Sequence, residues 1–163
     1  MGDRFSTEQR SYIMSRIRGK DTTIEVTLRS ALHRAGLRFR KNVRGILGTP
    51  DIVFHGSRLL VFVDGDFWHG YRFPQWGLSL SVFWQRKILR NRARDRRYHA
   101  KLRRDGWRVV RVWEHQIHCN LHAVVLRIAN LVEQDHDVNL LREKRLNETP
   151  CVLLRKRSSS LTS

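Results

Sequence analysis

Asp51 and Asp64 bracket two short segments rich in valine and leucine, DIVFH and SRLLVFVDG, and His69 follows in the aromatic run DGDFWHG. Two carboxylates and an imidazole in this order suit hydrolysis of a phosphodiester. That reaction usually needs a divalent cation held by carboxylates, which activates a water and neutralises charge in the transition state. Oxygen ligands select magnesium. A neutral imidazole beside that water can take its proton near pH 7. If the two segments form a hairpin, the short His55–Gly56–Ser57 turn leaves Asp51 and Asp64 at the same open end. Plainer readings stand beside these. An Asp flanking a strand is commonly a turn or cap residue, and a loop His is commonly a surface residue.

Glu25 has two readings as well. Thr22-x-x-Glu25 is a capping box, which explains the Glu structurally; alternatively, the helix start presents it as a metal-shell carboxylate. Further on, KILRNRARDRR places Asn91 and Asp95 four residues apart on one helix face, with Arg90, Arg94 and Arg97 around them. These arginines read as a solvated or phosphate-facing surface, and Asp95 as their ion-pair partner. Phe67, Trp68 and Tyr71 flank His69; aromatic rings on a basic protein can stack on bases or wedge between them, or simply fill a core.

The elements that must position these residues follow from periodicity. Ser6 and Gln9 form a capping box at the head of a basic helix over 6–18. Ile24, Leu28, Ala31, Leu32 and Ala35 recur at helical spacing, and Gly36 stops that helix. Leu37, Phe39, Lys41 and Val43 alternate as a strand. The two segments around 51–55 and 57–65 are the next strands, and 66–80 is a loop. A long basic helix spans 81–104 and stops at Gly106. Trp107 to Glu114 alternates as a strand, and a last helix fits 121–134. The order predicts an α/β domain with a mixed sheet, its last strand reached by a helical crossover.

Composition supplies the partner. The 163 residues carry 32 Lys+Arg against 15 Asp+Glu, a formal charge of +17. Such an excess does nothing for folding but concentrates polyanions at the surface, so nucleic acid is the expected partner and an anionic membrane the rival. Two cysteines, Cys119 and Cys151, belong to no CxxC pair, which excludes a disulfide framework and fits a reducing cytosol. No apolar run is long enough to span a membrane, and the N-terminus lacks an apolar signal-peptide core.

Five pieces in order resemble the Vsr very-short-patch mismatch repair family, within the PD-(D/E)xK-type restriction nucleases: RSYIMSRIRGKDTTIE, GTPDIVF, FVDGDFWHG, FWQRKILRNRARDRR and GWRVVRVWE. They cover about residues 8–134. The resemblance implies a restriction-endonuclease-like mixed central sheet flanked by helices, with an N-terminal helical arm. It divides the chain into a DNA-contacting helix (1–20), an endonuclease domain (21–134) and a basic tail (135–163), the last expected to be partly disordered. It implies a monomeric bacterial enzyme, cytoplasmic and nucleoid-associated, that acts on mismatched double-stranded DNA beside a cognate cytosine methyltransferase. The reaction implied is a nick 5′ to the T of a T:G mismatch.

Residue by residue, the resemblance makes Asp51 a magnesium ligand with the backbone carbonyl of Val63, puts Glu25 in the metal shell through water, and has His69 position or deprotonate the attacking water. Phe67 and Trp68 wedge beside the mismatch and Met14 enters from the opposite groove. Asn91, Asp95 and Arg94 support the site or touch DNA. Two departures stand out. The family's Thr-His is Val63-Asp64 here, so Asp64 is a further candidate metal ligand and one imidazole is lost. The family's zinc ligands fall on Asp66, Tyr71, Phe73 and His115. Asp66, His115, His118 and Cys119 could build a different zinc site, and aromatic packing by Tyr71, Phe73 and Trp76 is the expected replacement. These departures keep open a related nuclease for restriction-linked or branched DNA, and a catalytically inactive DNA-binding module.

Overall fold

The computed structural model describes residues 6, 8–9, 11–12 and 20–147, with side chains to residue 134. Met14, Cys151 and most of the two terminal segments lie outside the described residues. Of the N-terminal arm, residues 8–9 and 11–12 are helical. The capping box is formed reciprocally: the Ser6 amide donates to Gln9 Oε1 at 2.9 Å, and the Gln9 amide donates to Ser6 Oγ at 3.2 Å.

Four strands form one sheet in the order β1-β2-β3-β4. They are β1 (Arg40–Lys41), β2 (Ile52–Phe54), β3 (Leu59–Asp64) and β4 (Arg108–Trp113). The first two pairings are antiparallel and β3–β4 is parallel, with Phe62 opposite Arg111 and Asp64 opposite Trp113. The β2–β3 hairpin turns at 55–58, where the Arg58 amide donates to the His55 carbonyl at 3.1 Å. Arg58 takes the left-handed conformation there (φ 45°).

Helices cover both faces. Helix α1 (Thr23–Arg34) and the last helix, α4 (Glu114–Asn147), pack on one side. Leu28, Leu32, Val124 and Ile128 there meet Ile52, Val61, Val63 and Val112. On the other side lies α3 (Val82–Arg104), whose Leu102 packs with Val53, Leu60 and Phe62. Alternate residues of one strand thus serve opposite layers, and β2 and β3 are buried throughout. That explains their continuous apolar runs. Each fully buried Leu or Ile contributes roughly 1.5–3 kcal/mol.

The predicted stops hold. Gly36 and Gly106 sit at φ 82° and 83°, where a side chain would be strained. Behind α1, the Leu37 and Gly36 amides donate to the Leu32 and His33 carbonyls; behind α3, Trp107 and Gly106 do the same to Leu102 and Arg103. Both are Schellman endings that satisfy the last helical carbonyls.

Three expectations change. The strand over 37–43 shrinks to Arg40–Lys41. Leu37 and Phe39 pack into the α1 layer, whereas Val43 packs into the α3 layer, so the chain crosses the sheet edge there, with Asn42 at φ 47°. The 66–80 loop contains a short helix, α2 (Phe73–Trp76), and a 3-10 turn at Gly77–Ser79. Finally, helix follows β4 immediately and bends at Asn120 (φ −156°, ψ 75°), whose Oδ1 caps the Ala123 amide at 2.9 Å. The expected start near 121 is the second arm of this bent helix, and the helical backbone runs on past 134 to Asn147. Among the described residues no helix is long and apolar enough to cross a membrane.

Candidate active site

The strand ends open into a cleft of about 540 Å³ lined by Glu25, Asp51, Val63, Asp64, Trp68 and His69. The structure therefore brings together all four polar side chains that the sequence singled out for chemistry. Asp51 is placed by backbone. Its amide donates to the Val61 carbonyl at 3.1 Å, and its Oδ2 accepts the Val63 amide at 2.7 Å. Burial pushes the Asp51 carboxyl up from 3.8 to about 7; the Val63 amide opposes the rise, and the charges of Glu25 and Asp64 add to it. A carboxylate held above its usual range by burial and by like charges is a site that gains from a cation.

Glu25 is buried, and its carboxylate is already engaged. Oε2 accepts the Asp21 amide at 2.9 Å, and Oε1 accepts the Thr22 hydroxyl at 2.7 Å. Arg29, one turn on, donates to Oε2 at 3.3 Å and also pairs with Asp21. The capping role is thus altered: Glu25 reaches back past the N-cap, and the Thr22 side chain caps no helix amide.

His69 is fixed from below. Its Nδ1 lies 2.7 Å from Asp95 Oδ2 and 3.1 Å from Asp64 Oδ1. In the neutral tautomer whose Nδ1–H donates to a carboxylate, Nε2 is the nitrogen free to accept a proton. Asp95 is buried on α3, and Arg94 holds its other oxygen at 2.9 Å. Burial works to raise the Asp95 carboxyl, but hydrogen bonds and charge from His69 and then Arg94 outweigh it, leaving it below its usual range. Asn91, one turn earlier, donates to the Trp68 carbonyl at 3.0 Å and so ties the His69 loop to α3. Gly70 (φ 65°) closes the loop, where a Cβ would lie 2.7 Å from Ile88 and 2.8 Å from Arg92.

Asp64 faces α3, not open solvent. One oxygen meets His69 and the other accepts Arg111 Nε. Both oxygens being engaged, Asp64 is less available to a metal than Asp51. Among the described residues no three His, Cys, Asp or Glu side chains converge into a metal cage. Few carboxylates beside open space for water is donor chemistry that suits magnesium, and Asp51, Val63 and Glu25 all line the cleft.

Phe67 and Trp68 sit in an aromatic cluster. Their ring centroids are 4.9 Å apart, and Trp84 lies 6.0 and 5.6 Å from them. Phe67 also stacks on Trp76 at 5.7 Å and keeps 38% exposure, so it is both propped by the core and presented outward. Of the zinc substitutes, Asp66 and His115 pair at 2.8 Å, but His118 approaches Glu114 at 3.9 Å and Cys119 is exposed. Tyr71 packs on Trp113 and His115 at 5.0 and 4.3 Å, and Phe73 on Trp76 at 5.3 Å.

Sequence reasoning missed four participants: Arg29, Trp84, His99 and Arg111. Arg29 was legible as the i+4 partner of Glu25. His99 lines a second cavity of about 370 Å³ beside His69; burial, and then the charge of Arg111, lower its pKa. Arg111 had one signal, a cation interrupting the valines of RVVRVW.

Residues 2–75 match the family described as DNA mismatch endonuclease Vsr. The chain is 44% identical over 135 residues to the type II nicking enzyme V.XorIIP of Xanthomonas oryzae, covering 82% of this chain and 98% of that one. It is 39% identical over 118 residues to the type II nicking enzyme V.NmeDIP of Neisseria meningitidis serogroup C, 71% of this chain and 80% of the other. With the DNA mismatch endonuclease Vsr of Escherichia coli K12 it shares 38% identity over 116 residues, 70% and 74% of the two chains. With relatives this similar matched over most of their own length, the chain belongs to the Vsr endonuclease family.

Proposed function

We propose that this protein is a magnesium-dependent endonuclease that nicks one strand of duplex DNA 5′ to the T of a T:G mismatch. The observation that carries the reading is a cleft lined by both the uplifted carboxyl of Asp51 and His69, whose Nδ1 lies 2.7 Å from Asp95. Asp51 and the Val63 carbonyl would hold the ion, with Glu25 reaching it through water. Such an ion, when bound, activates water and offsets the charge growing on the phosphate.

The chain's own residues supply the rest. His69 Nε2 takes the proton of the attacking water, and Asp95 steadies the imidazolium that results. Asn91 and Gly70 keep the His69 loop from drifting, which matters because a misplacement of about 1 Å costs on the order of 100-fold in rate. Trp68 lines the cleft and the exposed ring of Phe67 sits beside it, and together they offer an apolar wedge. A mismatched step costs less to unstack than a paired one, so wedge insertion favours it.

The test is incubation with T:G and matched duplexes across a magnesium titration. Strand-specific nicking of the T:G duplex alone is expected. Absence of any nick at every metal concentration refutes the enzyme, and equal cutting of both duplexes refutes the specificity. A second reading, nicking of restriction-linked or branched DNA, draws on the relatives named as type II nicking enzymes; cleavage mapping on a substrate panel separates the two.

A further inference from the structure

Arg111 is an unexpected residue for its position. It is the fourth residue of the half-buried strand β4, between Val110 and Val112, opposite Phe62 of buried β3 and diagonal to Asp64. Aliphatic neighbours of similar volume would be at least as stable there, because two charges leaving water cost more than their attraction usually returns. The pair is nevertheless built in detail. Arg111 Nε donates to Asp64 Oδ2. Its guanidinium lies over the Trp113 ring at 4.3 Å. Its Nη2 is buried with no hydrogen-bond partner among the described residues, 4.0 Å from Asp95 Oδ2. The same guanidinium therefore sits beside both carboxylates that contact His69 Nδ1.

We infer that Arg111 is a positioning residue: it anchors Asp64 so that Asp64 and Asp95 grip His69 Nδ1 from two sides, leaving Nε2 directed to the reacting water. Asp95 alone fixes one direction of the ring, since a single hydrogen bond lets the imidazole pivot about it. A second carboxylate 3.1 Å away on β3 removes that pivot. Asp64 can fill this role only if its own charge is answered, because it is 4% exposed and Asp51 and Glu25 crowd the same cleft. Arg111 answers it from β4, and the Trp113 face fixes the plane of the guanidinium. The inference rests on the proposed role of His69.

The experiment replaces the pair with apolar residues, Asp64→Leu/Arg111→Met, alongside Arg111→Lys. Three quantities are measured: the thermal midpoint, nicking kinetics under magnesium, and the nitrogen and proton resonances of the His69 imidazole in metal-free protein. The double variant should keep or raise its thermal midpoint and hold KM within about twofold. Its kcat should fall by about tenfold or more, in keeping with the roughly 100-fold cost of a 1 Å misplacement. The His69 Nδ1 resonance should shift, and Arg111→Lys should recover part of both kcat and the shift. Wild-type kcat with unmoved His69 resonances in the double variant would overturn the inference and make the pair merely structural. If the wild type nicks nothing, the proposed function fails by that result, while the His69 resonances still decide whether Arg111 holds the ring. If the double variant does not fold, Arg111→Lys decides: wild-type kcat and resonances in it overturn the positioning role of the Nε contact and the stacked guanidinium.

Discussion

Replacing Asp51 by Asn should stabilise the metal-free protein at alkaline pH and cost it its nicking activity. The Asp51 carboxyl is lifted from 3.8 to about 7 in the folded chain. Below pH 3.8 it is neutral in both folded and unfolded states and contributes nothing. As pH rises toward 7 the unfolded chain gives up this proton and the folded chain keeps it, so stability falls by about 1.4 kcal/mol per pH unit. Above 7 the accumulated cost is constant at roughly 4 kcal/mol, an upper figure because the cleft admits water. Asn keeps the acceptor for the Val63 amide and removes the charge. At pH 8 the variant should therefore melt about 5–10 °C higher than the wild type, whereas near pH 4 the two should coincide. Magnesium should raise the wild-type midpoint at pH 8 and leave the variant unmoved, and nicking should drop by about 1,000-fold, the several kcal/mol expected of a lost metal site. Calorimetry at the two pH values is the assay. A variant no more stable at pH 8, or equally stabilised at pH 4, would refute the argument that burial and like charges strain this carboxyl.

Other outcomes follow from the same geometry. His69→Ala should lower kcat by about 100- to 10,000-fold with little change in DNA affinity. Asp95→Asn should lower it less, and a pre-steady-state nicking assay separates chemistry from binding. Trp68→Ala, and more so Phe67→Ala, should weaken binding to a T:G duplex by about 1–3 kcal/mol and narrow the gap to matched DNA, read by fluorescence anisotropy on both duplexes. Arg90→Ala on the exposed face of α3 should reduce the slope of log affinity against log salt by about one without changing which duplex is preferred.

The fold was legible where pattern and burial agree. The valine runs of β2, β3 and β4 and the spacing of Leu28 and Leu32 report directly on two-sided and one-sided burial. Gly36 and Gly106 mark helix ends because the left-handed turn needs them. The short β1 was not legible, since Leu37, Phe39 and Val43 alternate as a strand does yet serve different layers. At the site, Asp51, Asp64, His69 and Glu25 could be named because their types fit one chemistry. Their relations could not. The contacts of His69 with Asp95 and of Asp64 with Arg111 depend on where α3 lies over the sheet and on the β3–β4 register, which local spacing does not encode. Asp95 therefore read as a partner for arginines, which in part it is, and its contact with His69 came only from the fold.

The parallel pairing of β3 with β4 has a consequence for biosynthesis. A nascent chain that ends within α3 already contains Asp51, Asp64, His69 and Asp95, yet one whole edge of β3 is unpaired and Asp64 lacks its guanidinium. The strand that completes the sheet also completes the site. Copies that lose β4 keep the acids and His69 but have neither the β3–β4 pairing nor the guanidinium that Asp64 accepts from.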